Sequence, residues 1–230
     1  MGENDGHRKR LRERFLREGL DGFADHNVLE LLLFFAQPRK DKRLLAHRLI
    51  DTFGSLAGVF EATPEALMTV DGIGESAATL IHLVPEAGRR YLMAKEAPGT
   101  VLSSVEAAGH FLVPRFMNCR DETVYLVCMD AGLKVTDCTC LGSGGTTSAP
   151  INIRRILELA ILKNATYVIL AHNHTSGIAL PSPEDEATTL RVRDALAPAG
   201  VTLIDHIIVA GEDFVSLADD GILRRPSIWK

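Results

Sequence analysis

Two histidines one residue apart, His172 and His174, follow the apolar run at residues 167–171 (YVILA), with Ser182 and Asp185 a short way beyond. The run reads as a buried strand. Alternate side chains of a strand share a face, so both imidazoles point the same way at its carboxyl end. Two imidazoles held like that can share one Zn²⁺. A carboxylate at a nearby helix start, Asp185, would be the third ligand and would leave a coordination position for water. A metal ion in such an open site lowers the pKa of its water and polarises a carbonyl, which is the chemistry of hydrolysis. The same residues also have a plainer reading. His-x-His alone fits two solvated loop histidines. Ser182-Pro183-Glu184-Asp185 is a good helix start in its own right, with serine at the N-cap, proline at N1 and an acid at N3.

The elements that must position these residues change character along the chain. The first hundred residues read as helices: a short basic one over 8–18, a fully apolar one over 27–36 ended by Pro38, and one over 42–53 with Gly54 beyond. Thr63 can cap the next, with Pro64 at its first position, and a longer helix follows Gly72-Ile73-Gly74 from 75 to about 95, bent at Pro85. Residues 96–100 (EAPGT) read as a linker. After it, a helix over 105–113 precedes strands over 122–129 and 133–141, joined by a tight turn near residues 130–132. A helix over 150–163, the strand 167–171, a helix over 183–196 and strands over 201–210 and 214–217 complete an α/β alternation.

Bulk properties narrow the class. The 230 residues carry a net charge of -5, with 46% hydrophobic and 24% charged, and mean hydropathy is +0.08. These are globular values, incompatible with a disordered, collagen-like or coiled-coil chain. Residues 1–100 hold 14 basic and 15 acidic groups and residues 101–230 hold 11 and 15, so the second half carries most of the negative excess. Such a chain does not coat nucleic acid by bulk charge, although a local phosphate site remains open to it. No apolar signal core and no run approaching 18 apolar residues occurs, so a cytoplasmic protein without a membrane span is expected. Cys119, Cys128, Cys138 and Cys140 lack paired C-x-x-C spacing and read as reduced packing residues.

The full string, His-x-His, seven residues, Ser, two residues, Asp, matches the JAMM/MPN metallohydrolase motif at each fixed position. Its surroundings, HNHTSG, PSPED, DHIIVA (residues 205–210) and VSLADDG (215–221), resemble the RadC family of bacterial proteins over nearly the whole chain. The resemblance implies an N-terminal all-α domain over 1–97 with a helix-hairpin-helix at about 63–82, and a linker over 98–103. Residues 104–230 would then form a JAMM/MPN domain with a cytidine-deaminase-like mixed α/β sheet flanked by helices. It further implies that His172, His174 and Asp185 ligate Zn²⁺, that Ser182 helps hold the oxyanion of a tetrahedral intermediate, and that a glutamate shuttles protons. Amide hydrolysis asks for that base and acid on chemical grounds too. In JAMM proteins the glutamate lies at the edge of the first long strand, the place of Glu122 here, 50 residues before His172. Glu158, on the helix before the site, is the second candidate. This chain departs from the family pattern at Arg154-Arg155, where Arg-Glu is usual, and at Thr175, where a proline is usual.

Val70-Asp71-Gly72-Ile73-Gly74-Glu75 resembles the helix-hairpin-helix turn, whose glycines expose backbone N–H groups at a helix start and can hold a phosphate without reading sequence. Gly72, Ile73 and Gly74 are therefore candidate contacts to a DNA backbone. Few cations lie near, and binding there is expected to be weak and strongly salt-dependent. Two functions follow as expectations. One is a zinc-dependent hydrolase acting on a peptide or isopeptide-like amide of a peptide or protein substrate. The other is a non-enzymatic DNA-repair or DNA-transaction accessory protein whose zinc is structural.

Overall fold

A computed structural model of the chain describes residues 3–37, 42–96, 99–144, 152–219, 221–223, 227 and 229. Pro38 as a helix stop, residues 97–98 of the expected linker, Pro150 as a helix start and residue 220 lie outside them. The chain divides into two compact units, residues 1–88 and 89–230.

The first unit is helical: α1 (Glu3–Glu18), α2 (Asp25–Ala36), α3 (Arg43–Phe53), α4 (Leu56–Glu61), α5 (Pro64–Met68) and most of α6 (Glu75–Ala94). Its core gathers Leu29, Leu33, Leu49, Val59, Leu67, Ile73 and Ile81. Burying a side chain of this size contributes roughly 1.5–3 kcal/mol relative to leaving it in water. Capping sets the short helices: Ser55 accepts from the Gly58 N–H at 3.0 Å and Thr63 from the Ala66 N–H at 3.0 Å. The apolar α2 is buried along most of one side but carries Phe35 outward at 67% exposure. It also buries Glu30 completely, where the His7 ring meets the carboxylate at 2.9 Å.

The second unit begins at Arg89 within α6 and continues through α7 (Val105–Phe116) to a five-stranded sheet. Its strands are β1 (Glu122–Met129), β2 (Val135–Gly144), β3 (Tyr167–Asn173), β4 (Thr202–Ala210) and β5 (Asp213–Ser216), in the order β2-β1-β3-β4-β5. Only β3 and β4 are parallel; β1 runs antiparallel to β2 and β3, and β5 antiparallel to β4. The parallel pair needs a crossover, and α9 (Pro183–Leu196) supplies it; α8 (Ile153–Leu162) precedes β3. Strand alternation sorts the sheet into two layers. Val127, Met129, Ile169 and Ile207 pack with Leu112 of α7 on one face, whereas Leu126, Cys128 and Leu170 pack with Ile156 of α8 and Val192 of α9 on the other. The expected mixed sheet flanked by helices is present.

Two contacts in this unit carry large stability consequences. A Cβ on Gly109 of α7 would lie 2.2 Å from the Phe214 ring of β5. Gly109→Ala is therefore expected to destabilise by about 1–3 kcal/mol through overpacking, read as a shifted denaturant midpoint at unchanged slope. Asp205 on β4 is fully buried, and its carboxylate accepts from the Ser216 hydroxyl (2.7 and 2.8 Å), the His206 N–H (2.7 Å) and the Ala218 N–H (3.2 Å). These bonds tie β4 to the end of β5, which gives the DHIIVA and VSLADDG segments a structural meaning. Asp205→Ala would orphan several buried donors at once. A loss of about 3–5 kcal/mol is expected in equilibrium unfolding.

All four cysteines are free. Cys128 is buried and Cys140 exposed, so the packing description holds for the former and not for the latter. Burial pushes the Cys128 thiol up to about 12 and the Cys138 thiol up to about 11. In the native protein at neutral pH, a thiol-reactive disulfide reagent is expected to label Cys140 readily and to spare Cys128 until unfolding. Among the described residues, no helix is long and apolar enough to cross a membrane.

Candidate metal centre

The strand β3 ends at Asn173, and His174 lies one residue beyond, its N–H still donating to the Val209 carbonyl at 2.8 Å. That bond extends the parallel β3–β4 ladder past the strand's formal end. The two-residue period therefore persists, and the His172 and His174 rings face each other with Nε2 atoms 3.0 Å apart. The helix α9 starts beside them. Ser182 caps it, and Asp185 at N3 returns the bond in a reciprocal capping box. One ligand atom from each of His172, His174 and Asp185 lies within 4.8 Å of the others.

The carboxylate of Asp185 divides its work between its two oxygens. Oδ2 accepts from the Ser182 N–H (2.8 Å) and the Ser182 hydroxyl (2.6 Å), whereas Oδ1 lies 3.1 Å from His172 Nε2. His174 Nε2 lies 3.4 Å from Oδ2. Capping and ligation are thus compatible uses of one residue, because the cap holds the carboxylate in the orientation that brings Oδ1 to the imidazoles. Burial raises the Asp185 pKa, but the adjacent His172 imidazole and the bonds from Ser182 outweigh it and hold the carboxyl well below the usual carboxylate range.

Whether this cluster suits a cation follows from its hydrogen bonds. His174 Nδ1 lies 3.2 Å from the Ile178 carbonyl, which can only accept. Nδ1 therefore carries a proton, and in the neutral ring Nε2 presents a lone pair. That lone pair lies 3.0 Å from a second imidazole nitrogen and 3.4 Å from a carboxylate oxygen. Groups gathered so closely can share one small cation. Two nitrogens and an oxygen are the donor types zinc takes in open sites.

The remaining sequence candidates fall into place unevenly. Glu122 opens β1, and β1 pairs with β3 so that Val124 faces His172. Strand alternation therefore puts Glu122, two residues before Val124, on the His172 face of the sheet. Asn173, between the two histidines and on the opposite face, fixes this end of β1. Its Oδ1 accepts from the Thr123 N–H at 2.7 Å and its Nδ2 donates to the Asp121 carbonyl at 3.3 Å. Glu158 is not gathered here. It accepts from Arg154 at 2.9 Å, with Arg155 3.9 Å away, on the exposed side of α8.

Sequence reasoning missed a further histidine, His206 of β4. It is fully buried, with Nε2 2.9 Å from His172 Nδ1 and Nδ1 2.5 Å from the Thr189 hydroxyl of α9. Burial, and then the neighbouring His172, depress its pKa to about 3, so the ring is neutral at physiological pH. The available signal was its place in DHIIVA. Within a run of strand residues, however, a histidine reads as core until the β3–β4 register sets it against Leu170.

In the first unit, Gly72 holds a left-handed φ of +96° between α5 and α6. The Ile73 N–H donates to the Val70 carbonyl at 2.9 Å, the Gly72 carbonyl accepts from Gln37, and Ile73 is buried in the core. The Asp71 carboxylate stands 99% exposed beside the turn, 3.4 Å from Arg48 Nη1, which also donates to the Asp71 carbonyl at 3.2 Å. One of the three candidate contacts is therefore engaged within the turn, and an exposed Arg48–Asp71 ion pair adjoins the others.

The mixed sheet, its flanking helices and the His-x-His/Asp cluster on one sheet end define a JAB-type domain, the JAMM/MPN class. Residues 102–222 match the family model described as the RadC-like JAB domain, and residues 6–79 match that described as UPF0758 N-terminal. The chain belongs to this RadC-type UPF0758 family. It is similar to the UPF0758 protein of Fusobacterium nucleatum, 31% identical over 96% of this chain and 98% of that one. It is likewise similar to the UPF0758 proteins of Ruegeria pomeroyi, 33% identical over 94% of this chain and 97% of that one, and Idiomarina loihiensis, 31% identical over 94% and 96%.

Proposed function

We propose that this protein is a zinc-dependent metallohydrolase cleaving a peptide or isopeptide-like amide. The observation that carries the reading is the convergence of His172 Nε2, His174 Nε2 and an Asp185 oxygen, with Glu122 on the same sheet face. The three residues would hold Zn²⁺, which supplies an activated water and polarises the scissile carbonyl. Everything else is the work of the chain. Asp185 is held ionised and aimed by Ser182 and the α9 start. The Ile178 carbonyl holds the His174 ring, and Asn173 pins the strand that presents Glu122. Glu122 takes a proton as general base and returns it to the leaving amine as general acid. Ser182 now gives its one hydroxyl proton to Asp185, so a role as oxyanion donor requires that hydroxyl to turn toward the substrate.

The test is a panel of peptides and isopeptides incubated with zinc-loaded and chelator-stripped protein. Metal-dependent cleavage of at least one amide class, restored by adding zinc back, is expected. A zinc-loaded protein that cleaves no member of a broad panel would count against hydrolysis and leave metal binding to be judged separately.

A further inference from the structure

We propose that His206 and Thr189 are positioning residues that fix the His172 tautomer and so turn its Nε2 lone pair toward the metal. The inference rests on the metal-centre reading above, and it is derived from an obligatory acceptor. The Asp185 carbonyl can only accept, and the Thr189 hydroxyl, one turn further along α9, lies 2.6 Å from it. The single hydroxyl proton is therefore committed there. His206 Nδ1, 2.5 Å from the same hydroxyl, must then be the donor and carry a proton.

The His206 ring is fully buried beside a second imidazole, which disfavours a charged form. A neutral ring protonated on Nδ1 has a bare Nε2. That atom lies 2.9 Å from His172 Nδ1, so His172 donates to it and keeps its own lone pair on Nε2. The reverse direction would leave the Thr189 and Asp185 oxygens 2.6 Å apart with no proton between them.

The relay thus begins on the backbone of one ligand, Asp185, and ends on the ring of another, His172. Partners of this kind fix ring orientation and tautomer at metal sites, and their loss typically costs 10- to 100-fold in affinity. His174 uses a different device, the Ile178 carbonyl of the following loop. His172 alone is oriented from inside the core.

The experiment uses the full chain labelled with ¹⁵N-histidine and stripped of metal. Long-range ¹H–¹⁵N correlation at neutral pH is expected to show both His172 and His206 protonated on Nδ1, with His206 bare on Nε2. An unprotonated Nδ1 on either ring would overturn the proposal. In parallel, a chelator competition is expected to show zinc affinity about 10- to 100-fold lower in Thr189→Val and largely restored in Thr189→Ser. A folded Thr189→Val that binds zinc as wild type does would also overturn it. Wild-type protein that takes up no zinc overturns the metal-centre reading instead, and the nitrogen shifts, which need no metal, still decide the relay.

Discussion

His174→Ala is expected to weaken zinc binding by about 100- to 1,000-fold while leaving the metal-free fold intact. Closed four-ligand zinc sites bind with roughly 10–16 kcal/mol, so one ligand accounts for about 3–4 kcal/mol. Each 1.4 kcal/mol is a factor of ten. His174 is the informative ligand to remove because it lies beyond the formal end of β3 and, among the described residues, its ring bonds only a loop carbonyl outside the cluster. Removing His172 instead would strip His206 of its buried partner and add an unfolding cost of roughly 1–3 kcal/mol, mixing two effects. The measurements are zinc affinity by chelator competition and thermal unfolding without metal. Equal zinc content in wild type and His174→Ala would remove this histidine from the centre.

Glu122→Gln is expected to lower kcat by about 100- to 10,000-fold on any amide the protein cleaves, with zinc content unchanged. Glutamine keeps the size and polarity of the side chain at the start of β1 but cannot take up and return a proton. The Thr123–Asn173 bond and the β1–β3 ladder, which place this residue, are made by other groups and stay in place. A Glu158→Gln control is expected to lose little, since Glu158 is bound to Arg154 on the outer side of α8. Full activity in Glu122→Gln would remove the base from this position without touching the metal ligands.

The sequence made the candidate centre legible because its geometry is local. A strand's two-residue period puts His172 and His174 together, and a helix start puts an acid at N3 beside its cap, so spacing alone reports both. Elements followed the same logic: β1 and α9 begin and end where their patterns said. The short α4 went unseen, since LAGVFE is too brief to show a period and only the Ser55 cap marks it. The supports of the centre were hidden for a different reason. Asn173 with Thr123, and His206 with Thr189, are partners across strand pairings and a helix crossover. Their relation depends on the β1–β3 and β3–β4 registers, which no local pattern encodes. Asp205 was similarly opaque: a carboxylate inside an apolar strand makes sense only once β5 folds back to supply its donors.

The most direct test of the central claim is zinc K-edge X-ray absorption on the zinc-loaded wild-type chain. The account predicts one zinc per chain in a nitrogen and oxygen shell at roughly 2.0–2.2 Å, with the outer-shell scattering of two imidazoles and one exchangeable oxygen from water. Sulfur scattering at about 2.3 Å, which would place the metal on the cysteines, or a shell with no imidazole signature, would contradict it.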